Sequence, residues 1–270
     1  MKSYIFIILA IIMINNKAIA KITEIKDLIS FSEFLKSQPQ NDVLIIFDID
    51  DVLMMPEEDF TLSRNPYREK LWQALQKKLS KQEIELLHSI VTLKAKWCLV
   101  DPKIKKIISF LKKNNIAMTA LTSFSTGRYG IIDKREDLRM QNLAQMGFDF
   151  QSSSPFKKDM VINELAGNHG LPLVKDGIIF TAECDKGLIL EHVLLHTNYQ
   201  PKTIIFIDDQ LKNLQSVEKL CNKLNIKFHG FHYIAVSMLP HPHIDIQEEE
   251  LRMHELEKNH IWKNKGFSHL

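Results

Sequence analysis

The sequence predicts an α/β protein built on a central parallel sheet, and three observations predict it. Residues 43–52 begin as a continuous apolar run and end in three carboxylates, Asp48, Asp50 and Asp51. Two further runs, 116–121 and 203–207, close in Thr122-Ser123 and in Asp208-Asp209. Between the runs, apolar residues recur at helical spacing. Short apolar strands alternating with helices build parallel sheets buried on both faces, and such sheets bind ligands at the carboxyl ends of their strands.

The chain opens on Lys2, an apolar stretch over 4–14 and a polar turn closing in Ala18-Ile19-Ala20. This is the charged, apolar and small-x-small order of a secretory signal. The apolar stretch falls short of the roughly 20 residues a bilayer span needs, which makes a retained anchor the secondary reading. Cleavage after residue 20 starts the mature chain at Lys21 and predicts a periplasmic or secreted bacterial protein with no stable membrane association.

Losing residues 1–20 removes Lys2 and Lys17, so the 35 Lys and Arg fall by two and match the 33 Asp and Glu. A nearly neutral chain lacks the concentrated basic surface that a polyanion demands, which excludes nucleic acid as a partner. The lysines over 103–113 read as the solvated face of a helix. The mature chain suffices for one α/β domain with an insertion, over 21–245, followed by a charged helical tail over 246–270. Cys98, Cys184 and Cys221 form no C-x-x-C pair and are odd in number, so neither a zinc site nor a disulfide framework is expected, while one disulfide among them stays open.

Taken in order, 22–37 carries apolar residues at helical spacing and reads as a lead-in helix, with Pro39 beyond its end. The carboxylates after the first strand raise one another's pKa unless a cation or a proton sits among them. Alternation along a strand turns Asp48 and Asp50 into one crevice and Asp51 away. Residues 54–100 hold two helical patterns, 67–79 and 82–93, and no strand alternation, so an all-helical insertion is expected, with Trp72 and Trp97 lining it or packing its core. A helix over 103–114 leads into the second strand, whose end offers a hydroxyl donor that adds no charge.

Residues 133–146 read as a helix closed by Gly147, and 148–150 as a short strand. Runs at 160–164 and 174–181 suggest a hairpin or a small second insertion. Cys184-Asp185-Lys186-Gly187 then opens an amphipathic helix, with Lys186 placed to lean over the crevice as a point cation. His192 and His196 on that helix lack a third ligand at a recognisable spacing and read as a polar flank. After Asp208-Asp209 come a helix over 214–224, a strand over 226–230 and an exposed charged helix over 244–264.

The Asp48-x-Asp50-x-Val52 pattern after an apolar strand resembles motif one of the haloacid dehalogenase (HAD) superfamily, most of whose members transfer phosphoryl groups through an aspartyl-phosphate. Thr122-Ser123, Lys186-Gly187 and Asp208-Asp209 with Asn213 resemble motifs two, three and four, in the required order over nearly the whole mature chain. The resemblance implies a Rossmann-like HAD core with a central parallel sheet and a small helical cap over about 54–100, Mg²⁺ as cofactor, and a small phosphorylated substrate. Carried over by position, Asp48 is the nucleophile and Asp50 the acid/base, while Thr122, Ser123 and Lys186 hold phosphoryl oxygens. Asp48 and Asp208 are direct Mg²⁺ ligands, Asp50 contributes its backbone carbonyl, and Asp209 acts through a water.

Phe47–Asp51 and Thr126-Gly127-Arg128 also resemble the exported class B acid phosphatases. Thr122 is the preferred hydroxyl because it ends the apolar run directly, and Arg128 is a loop residue within reach of a phosphate or a substrate tail, or else a solvated turn residue. Val52 and Leu53-Met54-Met55 stand where many relatives have Thr and a polar lead-in. That departure keeps a second reading, a HAD scaffold without turnover that serves as a secreted binding or interaction protein. Substrate identity and oligomeric state are not written in the pattern.

Overall fold

A computed structural model describes residues 21–38, 41–62, 65–166, 169–241 and 244–265; the expected signal over 1–20 and the end of the tail over 266–270 lie outside the described residues. In chain order the elements are β1 (Lys21–Ile25), α1 (Leu28–Ser37), β2 (Val43–Phe47), β3 (Met54–Pro56), α2 (Arg68–Gln76), α3 (Lys81–Lys94), β4 (Trp97–Leu99), α4 (Ile104–Lys113) and β5 (Ala117–Thr122). There follow α5 (Arg135–Gln145), β6 (Met160–Val161), β7 (Leu173–Lys175), β8 (Ile178–Phe180), α6 (Lys186–Thr197), β9 (Thr203–Asp208), α7 (Leu211–Leu224), β10 (Lys227–Tyr233) and α8 (Ile246–Asn259).

Eight strands form one sheet in the order β1-β10-β9-β2-β5-β8-β7-β6. Every pairing from β1 to β8 is parallel, and β7 and β6 close the far edge antiparallel. This is the α/β fold with a mostly parallel central sheet that the alternating runs predict. Strand alternation splits the core between the two faces. Ile45 and Phe47 of β2 pack on one side with Phe31 of α1, Ile107 of α4 and Leu143 of α5, while Leu44 and Ile46 pack on the other with Val193 of α6 and Val217 of α7. All five residues of β2 are buried, which is why its sequence is apolar without interruption.

Three local expectations are corrected. Lys21–Ile25 is an edge strand parallel to β10, and the helix starts only after Asp27, whose carboxylate accepts from the Ile29 N–H at 2.7 Å. Ile22 and Ile25 fit a helical stripe, but on an edge strand they reach the core by another route. The insertion is not all-helical: β3 and β4 pair antiparallel as a short stem that carries α2 and α3. Three-residue strands are too short to display alternation. Residues 148–150 form no strand; Phe148 and Phe150 are buried and their rings stack 6.5 Å apart. The hairpin is present as β6 and β7, and β8 continues it into the parallel core.

The last helix is charged along its outer face but docked along its inner one. Met253 and Leu256 of α8, with Trp262 beyond it, pack against Phe60, Trp72 and Ile90 of the insertion. Glu58, buried, is held there by Arg252, by the Trp262 indole N–H at 3.3 Å and by the Lys265 backbone N–H at 3.0 Å. Leu256 is fully buried and Leu251 is 66% exposed. Leu256→Ala therefore lowers stability by about 2–5 kcal/mol in chemical denaturation, and Leu251→Ala by less than about 0.5 kcal/mol. Equal, small effects of the two would show that the tail is undocked.

Candidate active site

Parallel register performs the first step of assembly. Phe47 pairs with Ile207 on one side and with Ala120 on the other, so the ends of β2, β9 and β5 emerge together and bring Asp48, Asp208 and Thr122 to one edge. The Asp48 N–H donates to the Ile207 carbonyl at 3.0 Å, which fixes the residue beside Asp208.

Lys186 reaches them from the first turn of α6. Asp185 caps that helix by accepting from the Leu188 N–H at 2.8 Å. The following residue must be glycine, because a Cβ at Gly187 would lie 2.5 Å from the Ser216 carbonyl oxygen on α7. The chain enters this turn through Ala182 and Glu183, both left-handed at φ of 48° and 66°, a conformation that costs a side-chain-bearing residue about 1–2 kcal/mol. Such strain is held only where the surroundings over-determine it, and it clusters at functional sites.

The result is a fully buried ammonium, 2.8 Å from Asp48 Oδ1 and 2.7 Å from Asp208 Oδ2. Asp208 is further held by the Gln210 N–H at 2.7 Å and by the Asn213 side-chain amide at 3.0 and 3.1 Å. Burial opposes the Lys186 charge, but Asp208 and Asp48 outweigh it and raise the lysine pKa. Burial pushes the Asp48 carboxyl well above its ordinary range; Lys186 opposes the shift and Asp208 and Asp209 add to it. Burial likewise pushes Asp209 up to about 6, with Asp208 and Asp51 contributing and the hydrogen bond from the Gln210 side chain opposing.

One ammonium therefore faces three carboxylates, and Asp48, Asp208 and Asp209 bring an oxygen each within 4.8 Å of one another. Among the described residues this is the group suited to a metal ion. Hard carboxylate oxygens in excess of the local positive charge are the donor set that Mg²⁺ takes.

Above this floor opens a cavity of about 650 Å³. Asp48, Asp50, Asp209, Thr122 and Ser123 line it, and Lys186 and Asp208 lie just beneath. Asp48, Asp50, Thr122, Ser123, Lys186, Asp208 and Asp209 are thus gathered in one place. Asp51 lines the cavity as well and does not face away, because β2 ends at Phe47 and the chain turns through Asp51 at φ 59°. The Thr122 hydroxyl accepts from the Phe124 N–H at 3.1 Å, and that bond leaves its own O–H to donate. Thr126 is spent on the Leu171 carbonyl at 2.7 Å, and Arg128 lines a separate outer depression beside Gln82 and Glu85. The Thr-Gly-Arg stretch therefore does not serve this cavity.

Residues 18–265 match the family model DUF2608, whose description reads "Protein of unknown function (DUF2608)". The chain belongs to the DUF2608 family. A Chlamydia pneumoniae protein named "Putative outer membrane protein" is 26% identical over 205 residues, 74% of this chain and 72% of that one. A HAD-superfamily hydrolase of subfamily IA from Geobacter sulfurreducens is similar in structure at a TM-score of 0.34 and 13% identity, over 76% of this chain and 99% of that one.

The DUF2608 site also contains groups that pattern reading passed over. Arg139 of α5 is buried, 2.9 Å from Asp50 Oδ1, with its guanidinium over the rings of Phe124 at 4.0 Å and Trp97 at 4.4 Å. Its signal was in the sequence: Glu136, Arg139 and Leu143 form the core-facing stripe of α5, and two of the three are charged. Charges at core positions need partners, and those partners mark a site. Arg68 and His88 descend from α2 and α3 to close the cavity, and Arg135 stands on its rim, donating to the carbonyls of Thr126 and His169. The three cysteines are free thiols, and His192 and His196 stack at 5.2 Å on the outer flank of α6.

His88 lies against Trp72, with ring centroids 3.7 Å apart, and burial followed by the Arg68 charge lowers its pKa to about 4. The imidazole over the cavity is thus neutral at physiological pH. A base depressed in the folded state binds fewer protons there than in the unfolded chain. The stability it leaves intact above about pH 6.5 is lost as pH falls from 6.5 toward 4. Proton NMR of the His88 ring should give a midpoint near 4; a midpoint at or above 6.5 would contradict the packing described.

Proposed function

We propose that this protein is an exported, Mg²⁺-dependent phosphatase of the HAD type, hydrolysing small phosphate monoesters through an aspartyl-phosphate. The observation that carries the reading is the floor of the cavity: three carboxylates around one buried lysine, at the ends of parallel strands, beneath a space roofed by the inserted helices. The order of the four motif-like segments supports it. Export is supported by the signal-like start of the chain and by the outer-membrane name of the Chlamydia relative.

In this reading Asp48 attacks phosphorus in line with the leaving oxygen. Burial that raises its pKa also strips its hydration, and Lys186 at 2.8 Å keeps the attacking form available. Thr122 and Ser123 donate hydrogen bonds to the phosphoryl oxygens, and Lys186 offsets their charge from below. Asp48, Asp208, Asp209 and the backbone carbonyl of Asp50 would hold Mg²⁺, which supplies neutralisation of the phosphate charge when bound. Arg68 and Arg135 draw an anionic substrate into the cavity. The inserted helices exclude water and meet the leaving group.

The test is phosphate release from 4-nitrophenyl phosphate and a panel of phosphorylated metabolites, with Mg²⁺ and with chelator. Wild type should turn over only with Mg²⁺, and Asp48→Asn should lose about 10³-fold or more. Turnover that survives Asp48→Asn would remove the nucleophile. Silence of the wild type across the panel would favour the secreted binding or interaction protein.

A further inference from the structure

Asp50 and Arg139 make a pair that the reading above leaves unexplained, and it is unusual on both sides. Asp50 follows the strand on a tight turn, where the Asp51 N–H donates to the Met54 carbonyl at 2.9 Å and Asp51 is left-handed. Its side chain is 43% exposed, at the wall of the cavity. Arg139, by contrast, is 3% exposed and clamped between Phe124 and Trp97. Its Nη1 stands 2.9 Å from Asp50 Oδ1, an ion-pair contact without hydrogen-bond alignment, and its Nε meets no acceptor among the described residues.

A fully buried guanidinium costs several kcal/mol of desolvation, and burial indeed lowers its pKa. A fold that merely needed to fill this space between two aromatic rings could use an apolar side chain. The guanidinium also borders a side chamber of about 280 Å³ that joins the main cavity along Asp50, Asp51 and Phe124. The buried guanidinium thus lies behind the exposed carboxylate, at the junction of the two spaces.

We infer that Arg139 is a positioning residue that aims the Asp50 carboxyl at the leaving-group oxygen; this rests on the phosphatase reading. In the first step the bond between Asp48 Oδ and phosphorus forms as the bond from phosphorus to the leaving oxygen breaks, and the Asp50 proton passes to that oxygen. In the second step water gives a proton to Asp50 as its oxygen bonds to phosphorus and the Asp48 oxygen departs. Arg139 touches no reacting atom. The planar, always-charged guanidinium, stacked on two rings, holds one carboxylate oxygen in place and leaves the other free to carry the proton.

The test separates aim from stability by leaving group. 4-Nitrophenolate departs readily without a proton, whereas the alkoxide of 4-nitrobenzyl phosphate, one methylene longer, needs one. Arg139→Met should lower kcat/KM for 4-nitrobenzyl phosphate by about 10²–10⁴-fold, the usual worth of general acid catalysis, and for 4-nitrophenyl phosphate by less than about 10-fold. Arg139→Lys keeps a cation facing Asp50 and should show the same selectivity in weaker form. In Arg139→Ala, added guanidinium ion, entering through the side chamber, should restore the benzyl ester preferentially. Parallel losses on both esters, with no selective rescue, would overturn the inference alone. A wild type inactive on both esters would overturn the phosphatase reading and the inference with it.

Discussion

A single buried ammonium holds the centre of this protein together. Lys186 bridges Asp48 at the end of β2 and Asp208 at the end of β9, and both carboxylates are inside the fold. Removing one partner from such a buried set costs about 3–5 kcal/mol, because the charge left behind has no water to turn to. The surroundings follow from that need. Gly187 lets α6 approach α7 closely enough to deliver the lysine, Asn213 and the Gln210 N–H complete Asp208, and the strained turn at Ala182 and Glu183 sets the direction of entry. Yet one ammonium faces three crowded carboxyl groups. Carboxyl groups crowded beneath an open cavity are a poor structural solution and a donor set suited to a cation.

The inserted helices and the tail form a second body of packing whose task is to roof that cavity. Phe60, Trp72 and Trp262 build its core, and Glu58 ties the tail to the stem. Arg68, His88 and Thr92 then face the carboxylates from above. Because α8 clamps these helices from outside, the tail bears on the site without touching it.

What the sequence disclosed, and what it concealed, divides along a physical line. The central strands β2, β5 and β9 are buried on both faces, so their residues are largely apolar, and the polar residue that breaks each run marks the edge on which the cavity opens. Asp48, Thr122 and Asp208 were legible for that reason, and their convergence follows from parallel register alone. Elements whose meaning depends on a distant partner were concealed. β1 gains its identity only beside β10, three-residue β3 and β4 only from each other, and α8 only from the cap. Arg139 and Arg68 were unread because no strand end announces them; they are charges on helices whose neighbours arrive from elsewhere in the chain. Asp51 was misplaced because alternation was extended past the end of the strand.

The account stands on the claim that the unbalanced carboxylates form a cation site, and calorimetric titration with Mg²⁺ near neutral pH measures this without any substrate. The wild-type chain should bind one Mg²⁺, and Asp209→Asn, which removes one charge from the rim of the cluster while leaving the Lys186 bridge intact, should weaken binding about 10-fold or more. Failure of the wild type to bind, or equal binding by the two proteins, would contradict it.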